Sequence, residues 1–351
     1  MALTRALLGR NIKCYLPVIT QGHIVQNSYL STTPQDQKKK SRIASSALVT
    51  FAVAKYNRYV TWYEGILERR YPGVFKIYKI VKHGLRDLFL DARDYFRIYT
   101  QIRKGKPLGT LTRRELEVYR QLPHDLLHCL PLYCLQAIPF VGNVFFIVAY
   151  KYPKSLLSHQ FWTPDQKMQF WLEDLTERVQ NYNIIMAKLE RKTRKITDDK
   201  LRIYMEDVLH ELHSNRHPST EQLLLTRQLF VERPFGIHKV GYKQMINLCK
   251  IHERWPYFQP RARMHKYGML LRATDLAITR DGFADENAHE IIAACFIRGL
   301  NPKSLHTEQR IAWLKQWVEV AEHVDEDCIS LLLHCPIFLG LNEPTNKVLY
   351  R

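Results

Sequence analysis

The sequence predicts an all-α protein, with a single transmembrane helix followed by a C-terminal helical bundle. Three observations carry that prediction. Glycine is scarce, 14 of 351 residues, while leucine and long charged side chains are abundant, a balance that favours helices over turn-rich sheets. Apolar residues recur at spacings of three and four along much of the chain, and capping residues with first-turn prolines punctuate the repeats. Residues 126–150 run for 25 positions without a formal charge. A hydrophobic content of 46% excludes wholesale disorder. The 7 cysteines are odd in number and contain no Cys-x-x-Cys pair, so reduced thiols are expected rather than a disulfide framework or zinc knuckle.

Charge is unevenly placed. The chain has 52 lysines and arginines against 34 carboxylates, a formal charge of +18, and nearly all the excess lies in residues 1–123. Such asymmetry addresses a polyanion, either an anionic membrane surface or nucleic acid. In residues 1–40, Arg5, Arg10 and Lys13 are interleaved with Leu3, Leu7, Leu8 and Ile12, and no carboxylate precedes Asp36. The charges interrupt any apolar run that a secretory signal would need, so this composition predicts a mitochondrial transit segment.

Residues 41–123 read as a basic amphipathic helical region. From 75 to 103, Phe75, Tyr78, Val81, Leu85, Leu88, Ala92, Phe96, Tyr99 and Ile102 make one helical stripe, flanked by Lys76, Lys79, Lys82, Arg86, Arg93 and Arg97. The stripe suits an anionic leaflet or a partner helix of the same protein equally well. A Lys104-Gly105-Lys106-Pro107 loop follows, and Thr112 with Glu115 forms a capping box that starts a helix running toward Pro123.

Residues 126–150 would span roughly 37 Å as a helix, enough to cross a hydrocarbon core of about 30 Å with some tilt. Tyr150, Lys151, Tyr152 and Lys154 supply an interfacial rim. Pro131, Gln136, Pro139, Gly142 and Asn143 interrupt the apolar run; the alternative is a buried hairpin kinked at Pro139 and Gly142.

The C-terminal half reads as six to eight helices. Thr163-Pro164-Asp165 opens one that carries Met168, Trp171, Leu172, Leu175 and Val179; Thr197-Asp198-Asp199 opens another; Ser219 with Gln222 caps a third. Helices are predicted at 237–252, 261–280 and 285–298, the last closed by Gly299 and Leu300. Ile311, Leu314, Trp317, Val318 and Ala321 form the face of the next, and Asp325-Glu326-Asp327 caps a final helix at 328–333, part of the apolar stretch 328–341 that is too short to span a membrane, contains Pro336 and reads as a core helix.

Enzymatic motifs are missing: there is no Gly-x-Gly-x-x-Gly, phosphate loop, Gly-x-Ser-x-Gly elbow or His-Glu-x-x-His, and neither a cofactor nor a small-molecule substrate is expected. His210, His213 and His217 with Glu206 have zinc-compatible spacing, but imidazoles at a helix end also complement its negative terminus without a metal. Asp281, Asp285 and Glu286 lack the spacing of a calcium loop and read as a turn plus cap. Residues 293–317 form a helix, loop and helix in which Arg298, Lys303, Arg310 and Lys315 would meet phosphates or an acidic partner, although packing of the Leu300 loop explains the pattern as well.

The series His83-Gly84-Leu85-Arg86, Asp91, Leu111-Thr112-Arg113-Arg114-Glu115, Asp125, Pro131, Ile138-Pro139-Phe140 and Tyr152-Pro153 resembles the membrane region of the LETM family of mitochondrial inner-membrane proteins. Arg298-Gly299-Leu300 and Trp313-Leu314-x-x-Trp317 resemble that family's matrix domain, a 14-3-3-like, ribosome-binding helical fold expected here over 160–341. The compact length is similar to the family's short members. Family members implicated in cation/proton exchange carry an acidic residue three positions after the intramembrane proline, where this chain has Gly142. The resemblance therefore implies an inner-membrane rather than outer-membrane protein, single-pass, with its C-terminal domain in the matrix. It implies an adaptor for the mitochondrial ribosome or respiratory-assembly partners, homo-oligomerisation being compatible with it. The alternatives are an oligomeric cation/proton exchanger and a nucleic-acid-associated regulator that uses the basic N-terminal half.

Overall fold

The structure, a computed structural model, describes residues 51, 54–55, 58–62, 64–66, 68–136, 151–283 and 287–350. The expected transit segment at 1–40 lies outside them, as do Pro139, Phe140, Gly142 and Asn143 of the expected span. Among the described residues every regular element is helical, in agreement with the all-α reading. The chain divides into two compact units, Met1–Phe75 and Lys76–Arg351. The described residues of the first up to position 70 are helical, with Phe51, Tyr59, Trp62 and Ile66 exposed.

Helix α1, Pro72–Arg103, opens on a proline, tolerated where the first N–H groups have no intrahelical partner. Its packed face is rotated from the expected stripe. Leu88 and Ile98 are buried, with Ala92, Tyr95 and Ile102 packed beside them, whereas Leu85, Phe89, Phe96 and Tyr99 are exposed. The reason lies in contacts outside the helix. Gly84 lets the Phe161 ring approach so closely that a Cβ there would lie 2.5 Å from it, and Ile98 enters a cluster with Leu111 and Leu116. Both contacts turn the 84, 88, 95, 98, 102 edge inward.

Helix α2, Arg113–Gln136, starts at the expected capping box: the Glu115 amide donates to Thr112 Oγ1 (3.3 Å), and the Thr112 amide donates to Glu115 Oε2 (3.1 Å). It does not end at Pro123. Leu122 and Asp125, both buried on either side of the proline, hold it in place, and the helix continues through Pro131 to Gln136. The short α3, Pro153–Leu156, and a 3₁₀ turn at His159–Phe161 bring the chain to the bundle.

Helix α4, Pro164–Val179, carries the expected cap, with reciprocal bonds between Thr163 and Gln166. The chain breaks at Gln180 and Asn181 into α5, Tyr182–Thr193, an element that the apolar spacing did not separate. Asp198 caps α6, Asp199–His213, through Oδ1 to the Leu201 amide (3.1 Å), and the Ser219/Gln222 box caps α7, Thr220–Leu225. Helix α8, Tyr242–Ile251, begins later than position 237 because the Gly236 turn folds tightly against the Val231 and Glu232 carbonyls. Helix α9, Pro260–Asp281, agrees with its expected bounds to within one residue. Helix α10, Ala288–Arg298, ends at Gly299 with φ +93° and a Leu300 amide bonded to the Cys295 carbonyl (3.0 Å), the glycine stop with its buried apolar partner. Helix α11, Thr307–His323, follows. Helix α12, Ile329–Gly340, runs past 333 and through Pro336, filling the stretch 328–341 expected to be a core helix; it is buried at every position, as a helix that is apolar almost all round requires. The short α13, Pro344–Lys347, follows it.

α9 is the hub, packing on α2, α11 and α12, while α10 packs on α11. Residues on both sides of position 160 lie in the second unit, Lys76–Arg351. No helix among the described residues is long and apolar enough to cross a membrane.

Candidate functional site

The family-motif residues form a latch. Leu111 is buried against Ile98 and Leu116, and its carbonyl accepts from Arg280 Nη2 (3.2 Å), while Arg280 Nη1 donates to the Gly109 carbonyl (3.1 Å). Thr112 and Glu115 cap α2, and Glu115 also meets Arg97 at 3.1 Å. Arg113, nearly buried, donates to Glu117 Oε1 (3.1 Å) and to the Glu290 carbonyl (3.3 Å); Arg114 is exposed. The motif thus fastens the start of α2 to α1, α9 and α10.

At the other end, the two flanks of the charge-free stretch meet. Asp125 Oδ2 lies 3.1 Å from His159 Nδ1, and Gln121 Nε2 lies 3.0 Å from the same nitrogen. Gln160 Nε2 donates to Asp91 (3.1 Å) and Asp125 (3.4 Å), over a cluster of Leu88, Leu122 and Phe161. Lys154 reaches Glu173 (3.0 Å) and Asp174 (2.8 Å) of α4; burial pushes the Asp174 carboxyl up, against the pull of Lys154. A helix crossing once would separate these flanks by a hydrocarbon thickness of about 30 Å. Residues 76–125 and residues from 151 onward thus belong to one compact unit, whereas 137–150, the larger part of the expected span, lie outside the described residues. Pro131 and Gln136 fall in the last turns of α2.

Beside this junction lies a cavity of about 330 Å³, lined among others by Arg120, His124, Asp125, Lys154, Arg178 and Arg254. Arg178, fully buried, donates to the carbonyls of Ile251 (2.5 Å), Phe296 (2.6 Å) and Ile297 (3.0 Å), joining a cation to the negative ends of α8 and α10. Burial lowers the Arg120 pKa, and neighbouring Arg254 lowers it further.

The four expected partner-binding cations divide. Arg298 is 1% exposed and does not reach the surface. Its Nε donates to Asp275 Oδ1 (2.8 Å), a second nitrogen contacts the same oxygen, and Nη1 donates to the Ala294 carbonyl (2.9 Å). Trp317 Nε1 donates to the other Asp275 oxygen (3.0 Å). Arg310 is half-buried and clamps the Pro302 carbonyl through two nitrogens (3.0 and 2.8 Å). Lys303 and Lys315 are exposed. Spacing could not separate a buried arginine from a surface one. The one sequence signal for burial is that Asp275 falls among the apolar positions Leu271, Ala273, Ala277 and Ile278 of α9.

His213 lies 3.0 Å from Glu190 and His217 lies 3.4 Å from Glu343, two separate pairs. Among the described residues no group of three or more metal-ligating side chains converges. Burial pushes the Cys249 thiol up to about 11 and the Cys295 thiol to about 12, so neither offers a thiolate nucleophile near neutral pH. Burial likewise holds His252 down to about 3 and His334 to about 4, each against a backbone carbonyl, Leu333 (2.8 Å) and Ser330 (2.7 Å) respectively. These groups build the core.

A family model described as LETM1-like, RBD matches residues 111–338, from the latch through nearly all of α12. The chain is 28% identical over 354 positions to a Bos taurus protein named LETM1 domain-containing protein 1, covering 97% of this chain and 98% of that one. It is 29% identical over 323 positions to the Xenopus tropicalis protein of the same name, covering 91% and 90%. A Drosophila melanogaster protein named mitochondrial proton/calcium exchanger protein is 21% identical over 250 positions, 68% of this chain and 24% of that one. No solved structure matches.

Proposed function

The chain belongs to the LETM1-like RBD family, and from that premise we propose that it is a non-enzymatic mitochondrial inner-membrane adaptor. Its helical body faces the matrix and binds the mitochondrial ribosome or a respiratory-assembly partner, supporting mitochondrial organisation and respiration. The charge-free stretch attaches the body to the bilayer, entering and leaving the lipid on one face.

The observation that carries this reading is the fusion of the two flanks of residues 126–150 with the bundle in one compact unit. A body so fastened holds its partner-facing surface at a set distance from the lipid. Mitochondrial location is supported by the transit-like composition of residues 1–40 and by the name of the Drosophila relative. The partner-facing surface proposed here is the exposed part of the α10 to α11 loop and of α11, with Lys303 and Lys315 as its cations. A cation/proton exchanger is supported less well: Gly142 stands where a carboxylate would be needed in the low-dielectric interior to bind a cation or carry a proton.

Detergent-solubilised full chain, run on a density gradient with purified mitochondrial ribosomes, should migrate with them and be released at raised salt, as electrostatic contacts to a polyanion require. Migration only with the light fractions, at low salt, would remove the ribosome from the proposal.

A further inference from the structure

The loop between α8 and α9 holds three large aromatic side chains in solvent: Trp255, Tyr257 and Phe258 are 64%, 58% and 78% exposed. A slack loop would fold such rings back onto the body, but this one is braced to keep them out. Glu253, Phe258 and Gln259 adopt φ values of 53°, 46° and 49°, in the left-handed region that residues with a Cβ avoid. Arg263 on the first turn of α9 fastens that backbone: Nη1 donates to the carbonyls of Trp255 (2.6 Å) and Tyr257 (3.2 Å), and Nη2 to that of Phe258 (3.1 Å). At the start of the loop, the Arg254 guanidinium lies 4.5 Å over the Tyr267 ring. The Trp255 and Tyr257 rings meet edge to face at 5.4 Å.

The position of the loop indicates what these rings meet. α9 runs antiparallel to α2. Arg280, near its C-terminal end, bonds the Gly109 and Leu111 carbonyls ahead of α2, and Lys266, near its start, lies 5.9 Å over the Tyr119 ring. The N-terminal end of α9 therefore reaches the level of α2 at which the charge-free stretch begins. Glu253 and Arg254 line the same cavity as Asp125 and Lys154, the flanks of that stretch. Leu127 and Tyr152 are exposed at this end as well, with Lys151 and Lys266.

We propose that residues 255–258 form an interfacial anchor, seating Trp255, Tyr257 and Phe258 in the headgroup layer of an anionic bilayer beside the point where the charge-free stretch enters it. The Trp255 and Tyr257 rings, each with one polar edge, favour that layer, Phe258 supplies an apolar ring for its acyl side, and the neighbouring lysines complement its charge. A protein surface could also accept the rings, but continuity with 25 uncharged residues favours lipid. The inference rests on the membrane attachment proposed above.

The test uses the full chain in phosphatidylcholine–cardiolipin vesicles. The Trp255 emission is obtained as wild type minus Trp255→Phe. It should be blue-shifted and quenched severalfold by phosphatidylcholine brominated near the top of its acyl chains. Phe258→Trp in the Trp255→Phe background reads the depth from a second position and should be quenched alike. Water-like, unquenched emission from both positions in protein that floats with the vesicles would overturn the anchor and leave the attachment standing. Protein that does not float would overturn both.

Discussion

The Asp125 carboxylate lies 3.1 Å from the imidazole of His159, so the two ends of a 25-residue stretch without formal charge are joined by a polar contact. Asp125 is 4% exposed and also accepts from Gln160. Asp125→Ala removes the buried acceptor that His159 and Gln160 share, leaving them Gln121 and Asp91, and should cost about 1 kcal/mol of unfolding free energy. Chemical denaturation in mild detergent, followed by circular dichroism, measures it; a variant within experimental error of wild type would mean that the junction holds without this contact.

Arg298 acts inside the core. Arg298→Met leaves Asp275 buried with only Trp317 as a donor and should destabilise by about 3–5 kcal/mol. Arg298→Met combined with Asp275→Leu removes both charges and should recover much of that loss. Thermal unfolding of the two variants decides between this role and a surface one, for which neither change would move the midpoint.

Lys303 and Lys315 are the members of the expected quartet left exposed. Lys303→Glu with Lys315→Glu should leave the unfolding free energy within about 0.5 kcal/mol of wild type, because neither side chain is buried. The same variant should lower co-migration with mitochondrial ribosomes severalfold at low salt. Unchanged co-migration would put the contact elsewhere on the body.

His252 and His334 are held neutral in the fold, down to about 3 and about 4, while the unfolded chain titrates near its ordinary value of 6.5. Between those limits the unfolded state binds more protons, so stability rises with pH; it is fully present above the unfolded value and lost as pH falls below it. At pH 5 each histidine should subtract about 2 kcal/mol relative to pH 7. His334→Gln should flatten the pH dependence of the unfolding midpoint between these two values, whereas a slope identical to wild type would remove His334 from this account.

Helix boundaries marked by local chemistry were legible. The Thr112/Glu115 and Ser219/Gln222 boxes, the Thr163-Pro164-Asp165 cap and the Gly299 stop all stand where residue types and spacings put them. What depended on partners distant in sequence was not. The face of α1 follows the close approach of Phe161 to Gly84, which periodicity within α1 cannot contain. Arg298 reads like any basic residue at a helix end until Asp275, 23 residues away in sequence, closes on it with Trp317, itself 42 residues from Asp275. The charge-free stretch is long enough to cross a bilayer once, and the contact between its flanks, which favours the one-sided attachment proposed here, is not contained in its hydropathy.

The most direct test is the side of the membrane on which the two flanks lie. A protease site placed in the exposed turn at Lys104 and Gly105 reports the region before the stretch, and a C-terminal tag reports the region after it. With mitoplasts carrying both, external protease should leave both intact, and both should be cleaved together once the inner membrane is opened. Cleavage of one with protection of the other would contradict the account.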